Sequence, residues 1–207
     1  MVAMIKVKQL NVRGLDYNFS YLVFDEVSRD AAIIDPCGDV SVIRKALEDA
    51  KPLSPKYILI THGHHDHVSG LKDVLSFFDA AVAAHPECAA GHSINLADRQ
   101  QLSFGGIFIE VLYAPGHSPD GVLYRMSDDS ALFTGDTLFI DCCGYCLPRA
   151  MFNTMRNVIF PLAGSNIVYS GHDYGAVPFR NLGEEKRLNP YLATDDFDKF
   201  REELKKL

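Results

Sequence analysis

The sequence has no long run of apolar residues, and this absence argues against a protein that spans a membrane. Its apolar stretches, such as residues 57–60 and 80–84, fall far short of the roughly 18 residues that a span requires. It also lacks a basic excess: 20 Lys and Arg residues stand against 27 Asp and Glu residues, a formal charge of −7. Because duplex binding usually needs a basic face, we expect neither a nucleic-acid partner nor a membrane partner.

Low-complexity segments, internal repeats and linkers are missing too, and 47% of the 207 residues are hydrophobic, which excludes a disordered chain. Five cysteines are an odd number in a chain large enough to fold without disulfides, which favours free thiols in a reducing compartment. The opening residues 1–6 contain no apolar core long enough for a signal peptide. The sequence therefore predicts a mature cytoplasmic protein with one domain over residues 1–207.

Hydrophobic periodicity predicts strands that alternate with helices. Strands are predicted at residues 4–10, 19–24, 31–34, 57–60, 80–84, 122–126, 131–134 and 166–169, with a hairpin over 101–113 that turns at Gly105 and Gly106. Helices are predicted at residues 39–50, 71–78, 149–160 and 195–207, the first capped by Asp39 or Ser41. Strands in both halves, each half followed by helices, favour an α/β sandwich with sheets inside and helices outside.

A cluster of ligand-type residues follows the strand at 57–60, where residues 61–67 read THGHHDH. This is the carboxyl end of a strand, the position at which α/β proteins place their sites. His62 and His64 are two positions apart, so they point to the same side of an extended loop. Asp66 and His67 follow where the chain turns and can face a second point nearby. Imidazole nitrogens and carboxylate oxygens suit zinc, iron or manganese.

Three later segments repeat this layout of a strand, a sharp turn and a ligand-type residue. They end in His117, Asp136 and His172, and a glycine immediately precedes each of these residues. Glycine permits a tight turn that lifts the next side chain above the sheet edge. Four strand ends that deliver histidines and aspartates together predict a metal centre above one edge of the sheets.

This order of residues, H-x-H-x-D-H, a lone His, a Gly-Asp and a Gly-His, resembles the metallo-β-lactamase superfamily. The resemblance runs from the turn at residues 34–36 to residues 171–174 and implies a four-layer αβ/βα sandwich. It implies two divalent metal ions, zinc first, with iron or manganese as alternatives. The implied ligands are His62, His64 and His117 for the first ion, Asp66, His67 and His172 for the second, and Asp136 as the bridge.

Two metal ions about 3.5–4 Å apart can clamp a water and lower its pKa toward neutrality, which makes a hydroxide nucleophile. In the arrangement that the resemblance implies, Asp66 would be the catalytic residue that orients the hydroxide and relays its proton. His65, His85 and His92 match no ligand position, and we assign them no metal role.

Within the superfamily the chain looks like the glyoxalase II-like branch, because residues 134–139 read TGDTLF and a cysteine- and glycine-containing loop follows. That likeness implies hydrolysis of a small-molecule thioester, from a hydroxyacyl thiol ester to an acid and a thiol. Two features depart from the branch. Residues 175–207 suffice for a helix or two where the branch has a sizeable helical domain, and Tyr145 stands where an arginine is usual.

Arg149, Arg180, Lys186 and Arg187 could replace the guanidinium missing at Tyr145, but the sequence favours solvated helix charges for each of them. Two alternatives to the glyoxalase II-like reading stay open. Residues 172–174 and 183–190 look like persulfide dioxygenases, which bind one iron through the equivalents of His62, His117 and Asp136. Another hydrolase of the same fold is the third possibility.

A cysteine cluster, Cys142, Cys143 and Cys146, follows Asp136 and allows two interpretations. Cys143 and Cys146 have the spacing of a redox or soft-metal pair. Alternatively the segment is a small-residue loop with reduced thiols, since a zinc site would need further thiolate or imidazole ligands. Cys37 and Cys88 are isolated, and we expect them to be packed.

Overall fold

Two six-stranded mixed sheets face each other at the centre of the structure, a computed structural model that describes residues 4–207. Residues 1–3, which begin the segment expected to lack a signal peptide, lie outside the described residues. Within the described range no helix combines the length and the apolarity needed to cross a membrane. Helices cover the outer face of each sheet, so the expected sandwich with sheets inside and helices outside is confirmed.

The first sheet holds the N-terminal six strands in chain order: β1 (Ile5–Asn11), β2 (Phe19–Asp25), β3 (Asp30–Ile34), β4 (Ser54–Leu59), β5 (Ala81–Ala84) and β6 (Ile94–Asn95). The second holds the other six, also with neighbours in chain order: β7 (Gln101–Phe104), β8 (Ile107–Tyr113), β9 (Val122–Met126), β10 (Ala131–Gly135), β11 (Ile167–Ser170) and β12 (Arg180–Asn181). The first sheet carries α1 (Val40–Ala50), α2 (His65–Val68) and α3 (Leu71–Leu75). The second carries α4 (Pro148–Thr154), its π-helical continuation (Met155–Ile159), α5 (Leu182–Leu188), α6 (Pro190–Ala193) and α7 (Phe197–Leu204).

Aromatic side chains fill the space between the two sheets. Phe104, Tyr124 and Phe133 are almost wholly buried there, and the ring of Phe133 stacks on Tyr169 with centroids 5.4 Å apart. The strands that supply these rings alternate inward and outward side chains, so the opposite faces remain for the helices. This central layer fixes the two sheets against each other and therefore fixes the strand ends that carry the ligand-type residues.

Each outer layer is an amphipathic helix surface on a sheet. Helix α1 begins after Asp39, whose carboxylate accepts a hydrogen bond from the Ser41 amide at 3.0 Å, so the predicted cap is Asp39. Its apolar stripe, which includes Ile43 and Leu47, packs on the first sheet. On the second sheet, α4 and its π-helical continuation bury a comparable stripe against α7.

Strand direction brings the ligand loops to one edge. Strands β3, β4 and β5 are parallel, and so are β10 and β11. Strand β8 runs in the direction of β10 because both are antiparallel to β9. The carboxyl ends of β4, β8, β10 and β11 therefore meet at one end of the sandwich.

Most element boundaries agree with the periodicity, and three helices differ. The helix predicted over residues 71–78 ends at Leu75, after which the chain continues in turns. The helix predicted over 149–160 starts at Pro148 and becomes π-helical from Met155. The helix predicted over 195–207 starts at Phe197, because the Asp196 carboxylate accepts hydrogen bonds from two amides of its first turn. The elements that were not predicted are α2, α5, α6, β6 and β12.

Replacing Phe133 by alanine tests the central layer. We expect the free energy of unfolding to fall by about 3–5 kcal/mol, because the substitution leaves a cavity between two rigid sheets. Chemical denaturation of the metal-free protein measures this change. Leu75→Ala, at a side chain that is 40% exposed, is the control and should stay within about 0.5 kcal/mol of the parent. Equal losses in the two variants would contradict this account of the core.

Candidate metal centre

All seven ligand-type residues singled out from the sequence lie together at the shared strand edge. His62 comes three residues after the end of β4, and Asp136 directly follows β10. His117 and His172 follow β8 and β11. The seven side chains form three groups in which the potential ligand atoms lie within 4.8 Å of one another: His62 with His64 and His117, His62 with His67 and Asp136, and Asp66 with His67 and His172.

The first group consists of three imidazoles that face a common point. Nδ1 of His64 lies 3.0 Å from Nε2 of His62 and 2.9 Å from Nε2 of His117. Three ring nitrogens at such spacing cannot all be satisfied by one another, because each contact needs one donor and one acceptor. A cation between them would accept all three lone pairs.

The second group pairs two imidazoles with a carboxylate. Nε2 of His67 lies 3.2 Å from Nε2 of His172, and Oδ2 of Asp66 lies 3.5 Å and 3.4 Å from these two nitrogens. The group is buried except for Asp66, which keeps a quarter of its side chain exposed. Two nitrogens and an oxygen at this spacing form a second potential site.

Asp136 lies between the two groups. Its Oδ1 is 3.1 Å from Nε2 of His67, and its Oδ2 is 3.2 Å and 3.5 Å from Nε2 of His172 and of His117. Oδ1 is buried and, among residues 4–207, makes an ion-pair contact with His67 but no hydrogen bond, which is costly for a carboxylate oxygen. A metal ion would satisfy this oxygen. The donor set and its unsatisfied atom therefore fit two divalent cations with Asp136 between them.

Charge in the metal-free centre is balanced by protons. Burial lowers the pKa of His62 well below its usual range, so this ring is neutral. Burial also acts to lower the pKa of His172, but the neighbouring Asp136 and Asp66 outweigh it and raise that pKa to about 10. Burial likewise acts to lower the pKa of His67, but the neighbouring Asp136 and Asp35 outweigh it and raise that pKa well above its usual range. Protons on these rings thus occupy the positions that cations would take.

Behind the centre, Asp35 orients one of its members, His67, and also binds Thr61, the residue before His62. Its carboxylate accepts hydrogen bonds from the amide and the hydroxyl of Thr61 at 2.7 and 2.6 Å, and Oδ2 lies 3.0 Å from Nδ1 of His67. An Nδ1–H that donates to a carboxylate leaves Nε2 of His67 free to face the metal position. Asp35 has a positive φ of 48°, unusual for a residue other than glycine, so its conformation is held by these contacts.

Other supports come from loops that the sequence analysis did not single out. Asn18 donates from its amide nitrogen to Oδ2 of Asp66 at 2.9 Å. The carbonyl oxygen of Tyr145 lies 2.8 Å from Nδ1 of His117, and that of Asp16 lies 2.5 Å from Nδ1 of His172. Two of these three contacts use backbone carbonyl oxygens, so they cannot be predicted from the identity of a side chain. Asn18 is a buried amide next to β2, and only the fold brings it to Asp66.

Two of the glycines before ligands are required for steric reasons. Gly135 has a φ of 48°, and a Cβ there would lie 2.6 Å from the Thr61 hydroxyl. At Gly171 a Cβ would collide with Oδ1 of Asp136. At both positions the glycine backbone therefore lies closer to the neighbouring side chains than the backbone of a larger residue could.

The three histidines without an assigned metal role lie outside the ligand groups. His65 begins helix α2, and His85 stacks on Tyr113 with ring centroids 4.9 Å apart. His92 contacts Oδ1 of Asn95 at 2.9 Å. None of the three belongs to the groups of potential ligands found among residues 4–207.

The cysteines occur as free thiols. Cys37 and Cys88 are buried, as expected, and Cys143 is buried beside the half-buried Cys142 and Cys146. Burial raises the pKa of Cys142 to about 11, which disfavours the thiolate that a metal would need. Among the residues that the structure describes, the potential ligand groups contain no cysteine. The arrangement favours the reduced-thiol loop over a separate metal site.

The centre opens into a cleft of about 530 Å³. Its walls combine ligand side chains with aromatic and small residues, and they are Asp16, His64, Asp66, His117, Asp136, Phe139, Cys142, Cys143, Gly144, Tyr145, His172, Tyr174 and Leu207. A substrate in this cleft would contact both ligand groups at once.

Comparison of this chain with known proteins identifies its family. The family model described as "Metallo-beta-lactamase superfamily" matches residues 13–203 of this chain. The chain belongs to the metallo-β-lactamase superfamily. The hydroxyacylglutathione hydrolase of Dictyostelium discoideum is 33% identical over 200 residues, which cover 91% of this chain and 73% of that protein.

Two further relatives within the superfamily have a different name. The human mitochondrial persulfide dioxygenase ETHE1 is 30% identical over 183 residues, covering 84% of this chain and 71% of that protein. The crystal structure of ETHE1 from Myxococcus xanthus superposes with a TM-score of 0.84 at 25% identity, covering 99% of this chain and 90% of that one. The superfamily and the sandwich fold expected from the sequence are thus confirmed.

Replacing Asp35 by asparagine tests its role in orienting His67. The amide keeps the shape of the carboxylate but cannot accept with both atoms, so we expect the affinity for zinc to fall by about 10–100-fold. Competition with a chromophoric chelator measures the affinity. Asp129→Asn, which alters an ion pair with Arg125 away from the centre, is the control. Unchanged zinc affinity in Asp35→Asn would contradict this role.

Zinc binding to the metal-free protein at pH 7 should release protons, because the raised pKa of His172 and His67 keeps these rings protonated until a cation displaces the protons. For the same reason, zinc affinity should rise as the pH rises toward about 10. Zinc titration in a weakly buffered indicator solution counts the protons. His172→Ala should release fewer, whereas His85→Ala should match the parent. Binding without proton release would refute the charge balance described above.

Proposed function

We propose that this chain is a hydrolase that holds two divalent metal ions, zinc first among them, and cleaves a thioester. The observation that carries the proposal is the complete set of seven ligand-type side chains around Asp136. In this assignment His62, His64 and His117 would hold one ion, Asp66, His67 and His172 would hold the other, and the Asp136 carboxylate would serve both. Iron and manganese accept the same donors and remain alternatives to zinc.

The two ions would supply Lewis acidity and a hydroxide nucleophile at neutral pH. Asp66 orients the attacking water and accepts its proton. The hydrogen bond from His172 lowers the pKa of Asp66, whereas burial raises it. The hydrogen bond dominates and keeps the pKa of this carboxylate well below its usual range. Asn18 holds the carboxylate in place. The attack adds one water to the thioester and yields an acid and a thiol.

Hydrolysis agrees with the exposed position of Asp66 at the cleft. Of the three members of the second ligand group, it alone keeps substantial exposure. A proton taken from water can therefore pass to solvent through the cleft without crossing the buried histidines. The relative named hydroxyacylglutathione hydrolase supports a thioester as the bond that is cleaved.

A second candidate is a dioxygenase with one iron held by His62, His117 and Asp136. The relatives named ETHE1, one of them a persulfide dioxygenase, favour it, and these three side chains all belong to the centre. Against it, Asp66, His67 and His172 form a further compact group that a single ion at the other position would leave unused. We therefore rank hydrolysis first.

Metal analysis joined to two assays tests the proposal. We expect about two metal ions per chain after reconstitution and thiol release from a lactoyl thioester in the absence of oxygen. Asp136→Ala and His117→Ala should abolish turnover because each removes a ligand, whereas His92→Ala should retain it. Oxygen uptake with a persulfide, coupled to sulfite formation, would support the dioxygenase instead. Full activity in Asp136→Ala would reject the ligand assignment.

A further inference from the structure

We propose that the cleft selects an electrically neutral thioester with an apolar group, and that Tyr145 is a specificity-determining residue for it. This inference rests on the proposed thioester hydrolysis and adds a substrate class to it. Three observations carry it: no lysine or arginine among residues 4–207 lines the cleft, the basic residues near it have other partners or lie outside its walls, and its rim is aromatic.

The side chains that line the cleft include three carboxylates, on Asp16, Asp66 and Asp136. Within residues 4–207, no lysine or arginine lines it. The positive charge available to a ligand would therefore come from the metal ions, which the reacting group itself would occupy. An additional carboxylate on the ligand would have no protein cation to bind and would face Asp16 at the edge.

The basic residues considered as substitutes for a cleft arginine have other partners. Arg180 forms ion pairs with Asp141 and with Glu185, the latter at 2.7 Å. Lys186 donates to the Leu162 carbonyl at 2.5 Å, and the Arg149 guanidinium lies 3.3 Å above the centre of the Phe197 ring.

Two further arginines lie outside the cleft walls. Arg187 is exposed on helix α5, and Arg13 lines a neighbouring cleft with Leu15 and Tyr17. An anionic ligand in the metal cleft therefore meets no preformed guanidinium or ammonium group.

Large apolar side chains surround the mouth instead. Tyr145, which lines the cleft, is 87% exposed. Tyr174 is 44% exposed, and its ring stacks on the His172 imidazole at an interplanar angle of 6°. Apolar and aromatic surface gathered at a concave site is typical of ligand binding, and here it adjoins the ligand shell.

Tyr145 is suited to set specificity because its backbone and side chain have separate roles. The carbonyl oxygen contacts Nδ1 of His117, and the adjacent Gly144 donates its amide to the Asp136 carbonyl at 3.1 Å. The side chain is free at the mouth of the cleft. A substitution at this position can therefore change the ligand preference while the metal ligands stay in place.

The test compares one acyl group on two thiols. Phenylacetyl N-acetylcysteamine is neutral, whereas phenylacetyl glutathione carries carboxylates. We expect the zinc-loaded enzyme to show a kcat/KM at least about tenfold higher for the neutral thioester, a difference of about 1.4 kcal/mol in transition-state binding. Tyr145→Arg should shift this ratio toward the glutathione thioester by about three- to tenfold, mainly through KM, and added salt should diminish the shift.

Leu75→Arg is the matched control, because it adds the same charge on helix α3, outside the cleft walls, and should leave the ratio unchanged. Metal content of each variant, measured alongside, verifies that the ligands are intact. Preference for the glutathione thioester in the parent, or an unchanged ratio in Tyr145→Arg, would overturn the inference while the proposed hydrolysis stands. Hydrolysis of neither thioester by the fully metal-loaded enzyme would overturn both.

Discussion

The buried carboxylate of Asp136 is the constraint on which the rest of the centre depends. It lies under the strand edge with one oxygen lacking a hydrogen-bond partner, and the groups around it are imidazoles. Burying such a charge without compensation costs several kcal/mol. Protons on His67 and His172 compensate it in the metal-free protein, and cations would do so in the loaded one. Folding, protonation and metal binding are therefore linked through this residue.

The sandwich keeps this charge in place by joining parts that are distant in sequence. Asp35 ends a strand of the first sheet and contacts Thr61 and His67, whereas Asp136 follows a strand of the second sheet. The aromatic layer between the sheets holds the two strand edges at a fixed separation. Loss of that layer would first loosen the distance between ligands and only then the individual ligand loops, because each loop is tied to its own strand.

The clustering of the ligand-type residues could be predicted from the sequence because these residues follow strands that have clear periodicity. His62, His117, Asp136 and His172 each come soon after a short apolar run, and the parallel directions of these runs bring their ends together. The supporting residues carry no such mark. Asn18 lies on a loop before β2, and the partner of His117 is a backbone carbonyl. Contacts of this kind arise only from the tertiary fold.

The helix boundaries show the same limit. Hydrophobic spacing located the helix after Asp136, but the change to π-helical hydrogen bonding at Met155 has no counterpart in that spacing. Helix α5 was not predicted because its apolar content is small. Its buried Glu185 is instead held by Arg180 and the amide of Asn189, a polar network without periodicity. Periodicity therefore reports how a helix faces the core, and it misses helices held by polar contacts.

The polar network of Glu185 also bears on how the cleft recognises a ligand. Together with Asp141, it holds the Arg180 guanidinium in ion pairs, and Arg180 does not line the cleft. Charge in the cleft thus belongs to the metal ligands, and shape and apolar surface belong to the rim. A site divided in this way recognises the reacting group by its chemistry at the metal ions and the remainder of the molecule by burial. Under the proposed function, a change at a rim residue such as Tyr145 would alter the substrate preference and leave the proposed ligands in place.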